Sequence, residues 1–255
     1  MQIFTIAIAV ALGILIAWAI ITKRMTWLEK IKSNFNTQAW VLIPIAIAIN
    51  IAVGQIVLVL RLPVYLDSIG TVLVAVLCGP WAGALTGALS NIIWGIAIDP
   101  GALPWWPVAA MIGYMAGRMA QWGFFKSWWR VVVTGFVIAL TAAVVGTPIA
   151  VYLFGGITAS GSSFITAYLL ETGRGIWESV LSTNFIAEPV DKITTAMVAF
   201  AIILGLPKRT IGGYPKPHQV EVEGGADRSQ LYIAIGVIVL LVLFAAFMLR
   251  NILGG

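Results

Sequence analysis

The stretch Arg61–Ile96, RLPVYLDSIGTVLVAVLCGPWAGALTGALSNIIWGI, decides how the rest of this chain is read. Gly79, Gly83, Gly87 and Asn91 recur every four residues inside an apolar segment. On a helix this spacing makes one seam, along which a neighbouring backbone can approach closely. Before the seam, Asp67 opens an apolar run from Ser68 to Cys78 that is only eleven residues long, and Gly79-Pro80 then breaks the chain and turns it back. The stretch predicts a tight hairpin of two helices within a membrane.

Composition sets the class. Hydrophobic residues make up 60% of the chain and charged residues only 10%, and the mean hydropathy is +1.00. Several uncharged runs approach the roughly 20 residues that cross a bilayer, a pattern that excludes a soluble fold. A single cysteine, Cys78, forms no intrachain disulfide, and a single histidine, His218, leaves no imidazole cluster for zinc, nickel or cobalt. No metal or other cofactor is expected. The net charge of +5 needs no nucleic-acid partner, because basic residues gather on the cytoplasmic side of membrane proteins.

Working outward, Ile3–Ile21 is uncharged and is followed at once by Lys23 and Arg24. No basic stretch precedes it and no small-residue cleavage site follows it, so a retained helix is expected rather than a removed leader. Lys30 and Lys32, with Trp27 and Leu28 before them, suit either an interfacial segment or a plain basic loop. A helix from Ala39 to about Leu60 carries Ala48 and Ala52 around Asn50; the alanines let another helix pack closely, and the amide can hydrogen-bond across that contact. Asp99-Pro100-Gly101 makes a turn after the hairpin. A helix from about Pro104 to Trp122 then contains Gly113 and Gly117, a second four-residue small pair. The next helix, about Val131 to Phe154, is interrupted by Gly146 and Pro148. Gly155–Gly175 is a long covering connection, and a last core helix runs from Ile176 to about Leu206, before LPKR. A polar linker and one further span, Leu231–Leu249, complete the chain.

Charge orients these segments. With the first helix entering from outside, eleven of the fifteen Lys and Arg, among them Lys23, Arg24, Lys208 and Arg209, fall on the cytoplasmic side. Arg61, Arg174 and Arg250 fall outside, and Lys192 lies within a helix. That bias predicts eight spans with both termini outside.

In this order, AxxxA (Ala48 to Ala52), LPVYLDSIG, GPWAGALTGALSN, GYMAG, a long outer loop and LPKR, the chain resembles the substrate-binding S components of energy-coupling factor (ECF) vitamin transporters. It is most similar to the riboflavin-type members in the hairpin, and the resemblance spans about residues 39–210. It implies an all-α integral membrane protein of a prokaryotic cell membrane, multi-pass and bathed in lipid. Six helices would bind a vitamin-like small molecule near the outer face, under the loops after the first and fifth core helices. The alanine pair would pack on a transmembrane T component driven by two ATPases. The chain departs from the pattern by one extra transmembrane helix at each end. The expected organisation is a helix and basic linker at 1–38, the core at 39–210, a cytoplasmic linker at 211–229 and a terminal helix at 230–255.

Candidate site residues also follow from the chain itself. On the last core helix Trp177, Asn184, Glu188 and Asp191 project onto adjoining sectors of one face. Ionisable groups there cost about 2.5–3.5 kcal/mol each in lipid and so should face a protein interior or cavity. Lys192, four residues beyond Glu188, can neutralise it. An internal salt bridge, a ligand contact and a proton path all remain open for this group. Pro189 frees the carbonyl four residues back, expected as an added acceptor near the same place.

Trp94, Trp105, Trp106 and Trp177 lie toward the outer helix ends, with Tyr168 in the covering loop. They suit either an interfacial belt or the apolar walls that a planar heterocycle needs. Asp67 can accept from a ligand or cap the short helix, and Asn91 can serve the ligand or the seam. No P-loop, GxSxG or HExxH occurs, so no enzymatic role is expected. A sensor domain and a structural accessory subunit of a larger membrane complex stand as alternatives to solute binding.

Overall fold

The computed structural model describes residues 26–220, 229–230, 232–240 and 243. The expected span Ile3–Ile21 and part of Leu231–Leu249 lie outside the described residues. Among the described residues the fold is all-helical. After a helical segment at 26–32, the elements are α1 (Thr37–Val59), α2 (Ile69–Cys78), α3 (Pro80–Ala97), a 3-10 segment (Pro100–Trp105) and α4 (Trp106–Gln121). Then come α5 (Trp128–Phe154), α6 (Ser163–Glu171), α7 (Ile176–Gly205), α8 (Lys208–Gly212) and a second 3-10 segment (Pro217–Val220). Two of these, Thr37–Val59 and Trp128–Phe154, are long and apolar enough to cross a membrane.

The short arm of the hairpin is the central post. All ten residues of α2 are buried, which is why its sequence has no polar face. It is surrounded by α1, α3, α4 and α7. Gly79 makes the reversal at φ +114°, a conformation open to glycine and poor for other residues. Pro80 then starts α3 at a position where its missing N–H costs nothing. Asn34 plugs the turn: its carbonyl oxygen accepts from Trp81 N–H at 3.3 Å, and its amide donates to the Lys30 carbonyl at 2.7 Å.

Along the seam, α3 and α4 pack backbone to backbone. A Cβ on Gly83 would stand 2.8 Å from the Gly113 carbonyl oxygen. One on Gly87 would collide with the Ala109 carbonyl, and one on Gly117 with Pro80 at the turn. Gly135 does the same for α5 and α7, where a Cβ would stand 2.9 Å from the Lys192 carbonyl oxygen.

Asn50 corrects the reading of α1. It lies wholly buried on the side opposite Ala48 and Ala52, which are exposed. Its amide donates to Thr71 Oγ1 at 2.8 Å and Ser90 Oγ at 2.9 Å, and its oxygen accepts from Gly70 N–H at 2.7 Å. Two residues along a helix turn the side chain by about 200°, so the amide ties α1 to α2 and α3 rather than crossing the alanine contact. It also takes over the cap expected of Asp67: the N-cap position is Ser68, and Asn50 satisfies the orphan amide of the first turn.

Three further differences concern the chain path. α5 runs unbroken through Gly146 and Pro148, because a proline removes one ladder bond and a long, well-packed helix absorbs that loss. The Gly155–Gly175 connection holds a helix of its own, α6, whose Thr166 faces inward and donates to Thr183 Oγ1 at 2.9 Å. The start of the expected 211–229 linker is docked rather than free: Lys216 N–H donates to the Leu77 carbonyl at 3.0 Å, and Gln219 and Val220 are buried beneath the hairpin.

The seam yields a prediction for purified protein. Gly87→Val should lower stability by about 1–3 kcal/mol through overpacking, read as a drop in thermal unfolding temperature. Gly205→Ala, where nothing lies within 4 Å, should stay within about 0.5 kcal/mol. A Gly87→Val protein melting with the parent would remove the seam argument.

Candidate functional site

At the end of the bundle away from Gly79 the helices diverge around a cavity of about 180 Å³. An apolar protein cavity of about 150 Å³ holds benzene, so this one takes a single substituted ring. Its walls come from α3, α4, α5 and α7, and its roof from the connections at 61–68 and 155–163.

Among the expected site residues, Asp67, Asn91, Trp94, Trp105, Asn184, Glu188 and Lys192 line this cavity. Trp94 is buried, and its indole N–H donates to Gln55 Oε1 at 3.0 Å, leaving its ring as wall. Trp105 stacks on Phe154 with centroids 5.6 Å apart. Asn184 donates to Thr147 Oγ1 at 2.9 Å, bracing α7 against α5. Asp99, also on the wall, accepts from Gly101 N–H at 2.9 Å and so shapes the 3-10 segment.

Trp106, Tyr168 and Trp177 are corrections: none lines the cavity, and they are 46%, 67% and 45% exposed. Trp106 sits one residue past Trp105, hence about 100° round the helix. Tyr168 is similarly about 200° from the inward Thr166. Trp177 shares the face of Glu188 but lies eleven residues, or about 16 Å, along the axis; it rests edge-on against Tyr152 at 5.4 Å. The carbonyl freed by Pro189 belongs to Phe185, which is not among the residues lining the cavity, so it adds no acceptor to the wall.

The polar floor is organised by one ammonium. Lys192 Nζ donates to Asp191 Oδ2 at 2.5 Å and lies 3.6 Å from Asp67 and 3.8 Å from Glu188. The other oxygen of Asp191 accepts from the backbone amides of Tyr65 and Leu66 at 2.8 and 2.7 Å. Leu66 sits at φ +50°, a strained conformation for a branched side chain, and the two donated amides hold it there. Asp191 thus ties the 61–68 connection to α7. Glu188 Oε2, by contrast, is buried with no hydrogen-bond partner.

The hydroxyls of the roof are not among the residues expected from sequence. Tyr65 O–H meets Ser162 Oγ at 2.9 Å, Ser162 meets Ser160 at 2.7 Å, and Thr158 meets Ser163 at 2.9 Å. Burial, reinforced by the Glu188 charge, holds the Tyr65 phenol above its ordinary pKa, so it remains a neutral hydroxyl. Gly161 lets this loop press on the other: a Cβ there would stand 2.6 Å from the Leu62 carbonyl oxygen. The hydroxyl run TASGSS was the available signal. Among the described residues, no group of three or more His, Cys, Asp or Glu is arranged to hold a metal ion.

Removing the ammonium tests this arrangement. Lys192→Met should destabilise the protein by about 3–5 kcal/mol, because three carboxylates lose their shared counter-charge. Asp191→Ala should leave the Tyr65 and Leu66 amides unpaired and speed their hydrogen exchange well above that of the Asn50-bound Gly70 amide. Equal protection of all three amides in Asp191→Ala would show that this carboxylate does not hold the loop. Comparison with protein-family models, with curated proteins and with solved structures finds no match to this chain.

Proposed function

We propose that this protein is a membrane-embedded solute-binding subunit that takes up a vitamin or related small heterocycle. The observation that carries the reading is the roofed cavity, with two indole rings in its walls and a charged floor, in a bundle whose outside is apolar. Concave sites of this kind, mostly apolar with a few convergent polar groups, are the usual form of small-molecule sites.

Three features support membrane placement. The outward residues of α1, Val41, Ile45 and Ile56, are 51–60% exposed and apolar. On α5 Phe136, Val144 and Leu153 are likewise exposed, and on α7 Phe185 and Ile186. An apolar girdle of this extent favours contact with lipid. In this reading the chain makes eight spans in a prokaryotic cell membrane, six of them forming the core, with the cavity toward the outside.

The order of motifs that resembles ECF S components extends the proposal. Ala48 and Ala52 lie exposed in the middle of the α1 stripe, a shallow place where another helix can seat. A T component carrying two ATPases would bind there and reorient the loaded subunit, supplying the energy for which this chain has no motif.

Absorbance and mass spectrometry of the small molecule released when purified protein is denatured test the binding role. A single heterocycle near one equivalent is expected. A protein that is empty, and stays empty after soaking in a vitamin mixture, would favour the accessory-subunit role instead. For coupling, the double variant Ala48→Trp, Ala52→Trp should lose uptake in cells while keeping ligand affinity in detergent. Undiminished uptake would exclude α1 as the coupling surface.

A further inference from the structure

The charge of the cavity narrows the substrate class, an inference that rests on the solute-binding reading above. Three carboxylates, Asp67, Glu188 and Asp191, surround the single ammonium of Lys192. With all four groups ionised the cluster carries a formal charge of −2. Asp99 adds a further carboxylate to the wall, and Lys192 is the one lysine or arginine among the residues lining the cavity.

These acids are not equally satisfied. Asp191 has two backbone amides and the shortest contact to Lys192. Asp67 accepts from the Ser68 hydroxyl at 2.8 Å and faces Lys192 at 3.6 Å. Glu188 Oε2 is buried, has no hydrogen-bond donor, and stands 3.8 Å from an ammonium already engaged elsewhere. The residue is 8% exposed and lines the cavity. A buried carboxylate left in this state is costly. The nearby hydroxyls of Ser160, Ser162 and Tyr65 are taken up with one another. What Glu188 lacks is an N–H donor and a positive charge of its own.

We infer that the cavity is built for a monocationic, ring-bearing amine, amidine or heteroaromatic cation, whose N–H donors are received by Glu188 and Asp67 and whose ring lies against Trp94 and Trp105. The indole rings suit a cation as well as a planar ring, since each presents a negative π face. An anionic ring of the same size is rejected, because a carboxylate or phosphate brought beside Glu188 finds like charge, and the Asn91 amide on the wall offers it a donor without a counter-charge. Lys192 is a counter-ion that lets three acids coexist, rather than an anchor for a substrate carboxylate.

Isothermal titration of detergent-purified protein at pH 7 against single rings of matched size tests this: benzamidine and benzylamine as cations, benzamide and nicotinamide as neutral solutes, benzoate and nicotinate as anions. The cations should bind at least about tenfold more tightly than the neutral and anionic rings. Glu188→Gln should weaken cation binding by at least about tenfold, the range of a hydrogen bond to a charged group, and change neutral binding by less than about threefold. Asp67→Asn, at the more exposed position, should act in the same direction and serves where the Glu188 variant does not fold. A neutral or anionic ring that binds more tightly than every cation overturns this inference and leaves the solute-binding role standing. So does cation binding indifferent to both substitutions. Binding of none of the six, by a protein that also releases no molecule on denaturation, overturns both.

Discussion

The buried ammonium of Lys192 is the constraint on which the cavity end of this molecule depends. It is 3% exposed, and an ammonium in that position is tolerated only when opposite charge and hydrogen bonds replace its water. Asp191 does most of this, and in doing so it has one oxygen left over. That oxygen takes the Tyr65 and Leu66 amides, so the requirement to neutralise a lysine on α7 also sets the backbone of a loop more than a hundred residues earlier. The loop then offers Tyr65 to the serines of the 155–163 connection. Floor and roof are therefore held by one connected set of polar contacts, and a disturbance at Lys192 reaches both.

The scaffold places that cluster by a gradient in side-chain size. Along α3 the inward positions run Gly83, Gly87, Asn91 and Trp94; along α4, read in the antiparallel sense, they run Gly117, Gly113 and Ala109, and then Trp105 at the end of the 3-10 segment. At the Gly79 end nothing separates the backbones, and Gly117 rests on Pro80. At the other end two indoles stand where glycines stood, and both line the cavity. The indoles turn away from the seam, Trp94 toward Gly54 and Gln55 of α1 and Trp105 toward Phe154 of α5, so they wall the cavity from its flanks while Gly95 keeps α3 against Leu103. The short α2, buried on every side, fills the Gly79 half of the bundle and contributes no residue to the cavity. Asn50 locks this packing by joining α1, α2 and α3 through three hydrogen bonds with neutral partners, so the bundle needs no charge at that depth.

Much of this was legible because glycine spacing is a one-dimensional signal: a period of four on an apolar run specifies both a helix and its contact face. The acidic face of α7 was legible for the same reason, since Asn184 and Glu188 are separated by a single turn. The tryptophans at the helix ends were not. Trp105 and Trp106 differ by one residue, and only the angle at which the 3-10 segment enters α4 decides which one turns inward. Trp177 has the right angular position and the wrong height, because a projection down the axis discards the rise. Asn50 was assigned to the wrong side because two alanines flanked it in sequence, whereas in a helix the residue midway between i and i+4 points away from both. The roof hydroxyls have no periodicity, and their pairing follows from the approach of two loops that are far apart in the chain.

Helix α1 connects the two ends of the proposed mechanism. On its inward side Gly54 lies against Trp94, close enough that a Cβ would stand 2.7 Å from the indole ring, and Gln55 holds that indole by its N–H. On its outward side are Ala48 and Ala52, within two turns of Gly54. The helix has no spare volume between these surfaces, since Gly54 leaves the indole in contact with the backbone itself. A ligand that presses on Trp94 therefore presses on α1, and a partner helix seated on the alanines touches the same rigid rod. In the proposed coupling, one glycine and one indole form a direct physical route from the cavity to the outer face of α1.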